Sequence, residues 1–167
     1  MLYVLIVYAF SNQIRFNSKG RFNLPVGKRD FNDKMKAKLC TFIDRLCEGG
    51  YDFSCIDFRD FDTTNLTESS FVYCDPPYLI TCATYNEQGG WNEKCESDLL
   101  LFLDRLNKRK IKFALSNVLT SKGRKNDILI EWAKKYRVIH LDYSYSNSNY
   151  QTKDKSGATD EVLIVNY

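Results

Sequence analysis

The stretch FVYCDPPYLI, residues 71–80, decides how the rest of the chain is read. Phe71 to Cys74 head for a protein core as a strand, and the run then stops on Asp75, Pro76, Pro77 and Tyr78. Each proline fixes its own φ and lacks a backbone N–H, and the residue before a proline is pushed to extended geometry. Asp75 and Pro76 are therefore stiff, and their face offers only acceptors. One reading is a strand end followed by a turn, because Asp-Pro starts turns and Pro-Pro stiffens loops. The other is a ligand site, since ligands of open α/β sheets bind beyond the carboxyl ends of strands. A carboxylate oxygen beside a rigid carbonyl is a two-acceptor fork. It suits an exocyclic amino group with two N–H donors in one plane, and Tyr78 offers a ring face for stacking.

Downstream, Leu99, Leu100, Phe102, Leu103 and Leu106 recur at helical spacing, which predicts an amphipathic helix over 92–108. IKFALS (111–116) then reads as a strand, so that strand, helix, strand makes a parallel βαβ unit. A further helix is expected over 125–136, and strands over VIHLDYSY (138–145) and EVLIVNY (161–167). The last two are joined by a polar loop without a helix, which favours an antiparallel pair. Upstream, DFSCIDF (52–58) reads as a strand. Asp33 to Cys47 carries Met35, Leu39, Phe42, Ile43 and Leu46 at helical spacing and stops at Gly49-Gly50. Residues 11–30 alternate around Asn17-Ser18-Lys19-Gly20 as a hairpin-like loop. MLYVLIVYAF (1–10) predicts a buried element of helix or strand type; it is too short for a membrane span and lacks a basic leader.

The 167 residues, 44% hydrophobic, suffice for one globular core. A net charge of +3 does not by itself announce a nucleic-acid partner. The cations are unevenly spread: Arg15, Lys19, Arg21, Lys28, Arg29, Lys34, Lys36 and Lys38 crowd one segment, as a solvated face or a binding stripe. Six cysteines without CxxC spacing and one histidine, His140, argue against zinc and against a disulfide framework. They fit a reducing cytoplasm, with the cysteines acting as small hydrophobes.

Asp75-Pro76-Pro77-Tyr78 after an apolar strand resembles the catalytic motif of amino-directed DNA methyltransferases. NQIRFNSKGRFNLPVGKRDFN (12–32) is similar to the DNA-recognition hairpin of the Dam-type adenine-N6 methyltransferase family, and DEVLIVNY (160–167) to its last strand. The resemblance covers nearly the whole chain and implies an α/β fold: a partial Rossmann-like S-adenosylmethionine-dependent methyltransferase sheet with a C-terminal antiparallel strand pair and a hairpin insertion. Residues 1–50 would be the recognition hairpin and helical segment, and 51–167 the C-terminal part of the catalytic domain. The implied activity moves a methyl group from S-adenosylmethionine, without a metal, to adenine N6 of a base flipped out of double-stranded DNA, with GATC as the family's target. Asp75 and the Pro76 carbonyl would accept from the amino group, Pro77 would stiffen the motif and Tyr78 would stack on the base. Asp75, Asp57 and Phe58 would face the cofactor. Phe10 (an aromatic wedge), Arg15 (a guanine reader), Asn17, Pro25 (a thymine-methyl contact), Lys28 and Arg29 (phosphates) would meet DNA. From the residues alone, Phe10 reads equally as core and Asp57 equally as a helix cap. Ser116 and Asn117 are expected to support the pocket, and Ser146, Ser148 and Asn149 to reach phosphates.

The chain departs from the family in one respect. None of its eight glycines forms a G-x-G turn after a strand, the element that holds the cofactor's methionine end. The expectation is a truncated or split enzyme, a restriction-modification component included, with two central strands missing. It would be inactive unless complemented by an N-terminal half-enzyme polypeptide. A non-catalytic DNA-binding remnant and a truncation product without function are the alternatives.

Overall fold

Backbone groups at helix ends need partners, and in this chain asparagines supply them. The computed structural model describes residues 2–17, 19–81, 91–141 and 159–167. These fall into two units, Met1–Cys55 and Ile56–Tyr167. In the first, α1 (Leu2–Tyr8) buries Val7 and runs into a single 3-10 turn at Phe10–Asn12. The chain then folds back on itself through bridges at Phe16↔Phe22 and Ala9↔Val26. Gly27 must be glycine at this return, because a Cβ there would lie 2.7 Å from the Ala9 carbonyl oxygen. Asn32 caps α2 (Asp33–Cys47), its side chain accepting from the Met35 N–H at 3.1 Å. Gly49 and Gly50, both at φ +83°, end it in a conformation that L side chains avoid.

In the second unit, β1 (Phe71–Cys74) leads into α3 (Glu93–Lys108) and on to β2 (Lys112–Ser121). β1 and β2 are parallel, in register from Phe71↔Lys112 to Cys74↔Leu115. Asn92 caps α3 by accepting from the Cys95 N–H at 3.0 Å, with Glu93 and Glu96 in its first turn and Arg105 and Lys108 in its last. β3 (Arg124–Lys125) turns back on β2, and Asn126 caps α4 (Asp127–Ala133). β4 (Arg137–His140) and β5 (Thr159–Val165) pair antiparallel, and β5 also pairs antiparallel with β2. The sheet order is β1-β2-β5-β4. The fold is thus mixed α/β, with one parallel ladder and otherwise antiparallel ones.

β2 is buried from Phe113 to Val118, as a central strand covered on both faces should be. Leu99, Leu103 and Leu106 of α3 pack with Ile111, Phe113, Leu115, Leu129, Trp132 and Ile164 in one cluster. Each such side chain fully buried contributes about 1.5–3 kcal/mol. Asp104 then pins α4 to α3, accepting from Trp132 Nε1 at 2.9 Å, Tyr136 Oη at 2.7 Å and Lys135 Nζ at 2.9 Å.

Several expectations from the sequence need correction. Residues 52–58 form no strand: 51–57 lie exposed with no ladder partner, and only Phe58–Asp60 coil into a 3-10 turn. Apolar alternation cannot make a strand where no neighbour supplies the other half of the ladder. The 1–10 element is a helix but only partly buried, with Val4 and Phe10 exposed. α2 has the expected bounds, yet Phe42 and Ile43 on its apolar side are exposed. β2 runs five residues beyond Ser116, because β5 and β3 pair with the extension. α4 is shorter than 125–136. All five described cysteines are free thiols, but Cys40, Cys47 and Cys55 are exposed rather than acting as core hydrophobes. Residues 142–145 of the expected VIHLDYSY strand lie outside the described residues.

Burial opposes ionisation of Asp104, but the bonds from Lys135, Tyr136 and Trp132 outweigh it and hold the carboxyl below the usual range. A depressed folded-state value contributes stability above the unfolded carboxylate range, and that stability is lost as pH falls through the folded value. The stability gap between the parent chain and Asp104→Asn should therefore stay constant near neutrality and shrink as pH falls below about 4. Urea unfolding across that range measures it.

Candidate functional site: the Asp75–Tyr78 turn and the hairpin arm

The site in the second unit is created by a stagger. β1 pairs with β2 only as far as Cys74↔Leu115, whereas β2 continues to Ser121. Ser116 and Asn117 therefore stand beyond the carboxyl end of β1, on the level of the Asp75 turn. Asp75 is exposed, not turned into the core. Pro76 lies past the last ladder pair, and no backbone N–H among the described residues bonds to its carbonyl. Asp75 meets only the Tyr78 hydroxyl among the described side chains, at 3.3 Å.

Tyr78 closes the turn. It is half-buried, and its Oη lies 3.0 Å from Ser116 Oγ, 3.3 Å from Asp75 Oδ1 and 3.4 Å from Glu161 Oε1 of β5. Burial first, with the Asp75 and Glu161 charges adding and the Ser116 contact opposing, pushes the phenol up to about 12. It is a neutral hydroxyl at physiological pH. Ser116, expected from the sequence to support the pocket, thus meets the Tyr78 hydroxyl. The Glu161 contact was not expected, because nothing local marks which residue of the last strand meets residue 78.

Behind Ser116 lies a network that the sequence reading missed. Glu96 is 0% exposed. Its Oε1 accepts from Asn117 Nδ2 at 3.0 Å and Asn126 Nδ2 at 2.9 Å, and its Oε2 from Trp91 Nε1 at 2.6 Å. No cation is among these partners; three neutral N–H groups hold the carboxylate near the start of α3. One signal was available: Glu96, Leu99, Leu103 and Leu106 share the i, i+3, i+7, i+10 stripe that α3 buries, and an acid on an apolar stripe demands partners.

Asp57 and Phe58 lie before the sheet. Asp57 Oδ1 accepts from the Arg59 N–H at 2.9 Å, and its carboxylate pairs with the Arg59 guanidinium at 3.0 Å, which holds the carboxyl below its ordinary range. Its side chain still has 48% exposure, room for a further donor. The Phe58 ring is more committed. Arg59 sits 4.6 Å over its centre, and Trp91 and Phe102 rings lie 6.0 and 6.2 Å away.

In the first unit, the hairpin arm is organised by its own side chains. Asn17 Oδ1 accepts from the Lys19 and Arg21 N–H groups at 2.9 and 3.0 Å, so it builds the turn. Arg15 uses its Nε and Nη2 to grip the Asn23 carbonyl at 3.1 and 2.9 Å. That leaves the Nη1–Nη2 end of the guanidinium for a second, bidentate partner. Phe10 is 53% exposed, which excludes plain core packing. Pro25 is exposed too, and its carbonyl accepts from the Phe10 N–H at 3.0 Å. Lys28 and Arg29 are exposed, without an ion pair among the described residues. Ser146, Ser148 and Asn149 lie outside the described residues. Among the described residues no helix is long and apolar enough to cross a membrane, and no group of His, Cys, Asp and Glu is placed to hold a metal ion.

Residues 1–147 match the family model of the D12 class N6 adenine-specific DNA methyltransferases. The chain is 45% identical over 172 residues to the type II methyltransferase M.FokI of Planomicrobium okeanokoites, covering 99% of this chain and 26% of that protein. It is 41% identical over 174 residues to the modification methylase StsI of Streptococcus sanguinis, with the same coverage. To the DNA adenine methylase of Escherichia coli strain K12 it is 28% identical over 164 residues, covering 95% of this chain and 54% of the relative. The chain thus spans about a quarter of the length of the first two relatives.

Glu96→Leu would strand three N–H donors, each worth about 1–3 kcal/mol when left buried and unpaired. It should lower the unfolding free energy by ~3 kcal/mol or more, read by urea denaturation. An unchanged midpoint would show the carboxylate to be dispensable.

Proposed function

The chain belongs to the D12 class N6 adenine-specific DNA methyltransferase family, and from that premise we propose that it carries the target-recognition and amino-acceptor portion of a site-specific adenine-N6 methylase acting in the cytoplasm. One observation carries the reading: at the end of β1, an exposed Asp75 carboxylate and a Pro76 carbonyl outside the ladder stand together beside Tyr78. The adenine amino lone pair is delocalised into the ring and is a poor nucleophile. Asp75 and the Pro76 carbonyl each accept one of its N–H bonds, which draws the nitrogen toward sp³ and localises the lone pair. Pro77 keeps the fork rigid and Tyr78 holds the flipped base by its ring face. No histidine base is required. Positioning of the two reactants is the main source of rate, worth up to about 7–11 kcal/mol.

S-adenosylmethionine supplies the electrophilic methyl when bound. Asp57, half-exposed, and Asp75 fit a role beside it. Phe58 fits less well, because Arg59 covers one face of its ring. The parallel β1-α3-β2 unit, with β5 inserted antiparallel between β2 and β4, supports a Rossmann-like methyltransferase sheet. On the arm, Arg15 reads guanine through its free bidentate end, worth about 1–3 kcal/mol of discrimination. Phe10 wedges at the target step, Pro25 meets a thymine methyl, Asn17 shapes the tip that approaches the duplex, and Lys28 and Arg29 contact phosphates. Identity to type II modification methylases favours a place in a restriction-modification system.

The methionine end of the cofactor is held by residues outside these 167, since no G-x-G turn occurs within them. The outer edge of β1 supports this: among the described strands it pairs only with β2, and Phe71 and Tyr73 are 54% and 57% exposed. A short apolar edge without charge, proline or bulge is made to be paired.

The test is methyl transfer to a randomised set of adenine-containing duplexes, GATC among them, with and without a polypeptide supplying the glycine-rich half. Transfer should need that half. Asp75→Ala should cut it by at least about 100-fold while sparing DNA binding. Normal turnover by Asp75→Ala overturns the assignment, and DNA binding without transfer in the complemented mixture favours the non-catalytic reading.

A further inference from the structure

The hydroxyl of Tyr78 has no part in stacking, yet it sits among three oxygens. Ser116 Oγ, Asp75 Oδ1 and Glu161 Oε1 lie 3.0, 3.3 and 3.4 Å from it. A neutral phenol has one proton to donate and two lone pairs with which to accept. The Ser116 hydroxyl can donate into the Tyr78 oxygen; neither carboxylate can. With Ser116 as the donor, the phenolic proton faces two carboxylate acceptors, at 3.3 and 3.4 Å, and can serve only one of them well.

We infer that Glu161 is a positioning residue for the amino-acceptor fork, acting through the Tyr78 hydroxyl: it draws the phenolic proton away from Asp75, so that the Asp75 carboxylate stays available to the substrate's amino group. This rests on the reading of Asp75 as an acceptor, and it adds a residue that the catalytic motif does not contain. A carboxylate that already accepts from Tyr78 has one lone pair fewer and is a weaker acceptor for a second donor. With Glu161 competing, that cost is lifted. Ser116 anchors the hydroxyl, so the choice between the two acceptors is a small rotation of the O–H bond rather than a movement of the ring.

Among the described residues, the end of β1 contributes Asp75 and β5 contributes Glu161, the two charges that act on Tyr78. β2 contributes Ser116, which does not ionise in this range. Lys122 and Arg124, at the far end of β2 and in β3, line a separate cleft with Ile80, Thr81 and Ser121.

The deciding measurement is the titration of the Asp75 carboxyl by ¹³C NMR in the 167-residue chain, in the parent, Tyr78→Phe, Glu161→Gln and the double variant. Tyr78→Phe removes a proton that Glu161 already holds and should leave the Asp75 midpoint nearly unmoved. Glu161→Gln removes a like charge and weakens the competing acceptor, so the midpoint should fall, by about half a pH unit or more. In the Tyr78→Phe background, the Glu161→Gln shift should shrink to its direct charge effect. A fall in Glu161→Gln that shrinks in this way is what the inference requires. A Tyr78→Phe rise as large as the Glu161→Gln fall, an unmoved midpoint in Glu161→Gln, or full additivity overturns it. The titration needs neither DNA nor methyl donor, so its outcome is separable from that of the transfer assay.

Discussion

A carboxylate sealed from water holds the second unit together. Taking a charged carboxylate out of water costs several kcal/mol in general, and only a complete set of donors makes a buried acid such as Glu96 tolerable. The three N–H groups that meet it come from three places in the chain: Trp91 before α3, Asn117 on β2 and Asn126 at the start of α4. Satisfying one acid therefore fixes the approach of α3 to the sheet, the orientation of a central strand residue and the start of the next helix. Asn126 gains twice, since its other atom, Oδ1, accepts from the Leu129 N–H to begin α4. Asn117 likewise turns its Oδ1 to the Val118 N–H. Each amide is used at both ends, which leaves no ambiguity in how it is oriented.

That fixed strand is the one against which the candidate site is built. Because α3 carries the chain back for a parallel pairing, β1 and β2 end at the same side of the sheet. Because β2 also pairs with β5, it can run past the point where β1 stops. The turn at Asp75 thus opens onto the side of a well-supported strand. Trp91, which donates to Glu96, also lies 6.0 Å from Phe58. The same carboxylate thereby links the segment around Phe58 to the neighbour of Ser116.

The hairpin arm of the first unit rests on a different kind of support. It has little apolar mass, so its shape depends on local side-chain-to-backbone bonds. Asn17 replaces two strand bonds at the tip, and Arg15 clamps the opposite chain through one fork of its guanidinium. Such bonds cost little to break and suit a segment that adapts to a ligand. They also explain how Arg15 can be held in place while one of its bidentate ends stays open.

Features governed by residues three or four apart were legible in the sequence: the bounds of α2, the stripe and extent of α3, and the strand that stops at Asp75. Capping, stripe periodicity and proline stiffness act over that range and need no distant partner. What local pattern could not decide was which segments find a partner. DFSCIDF has a strand's composition but no neighbouring strand among the described residues, and 52–57 stay irregular, while Ser116 to Ser121 extend β2 because β5 lies alongside. Glu96 stood on an apolar stripe in plain view, yet its donors are 5, 21 and 30 residues away. The same holds for Glu161, 83 residues from the tyrosine it meets. The sequence by itself determined the chemistry of the turn, a stiff acid beside an open carbonyl. Only the tertiary structure decided what stands around it, because burial and long-range hydrogen bonds are settled when distant segments compete for the same interior.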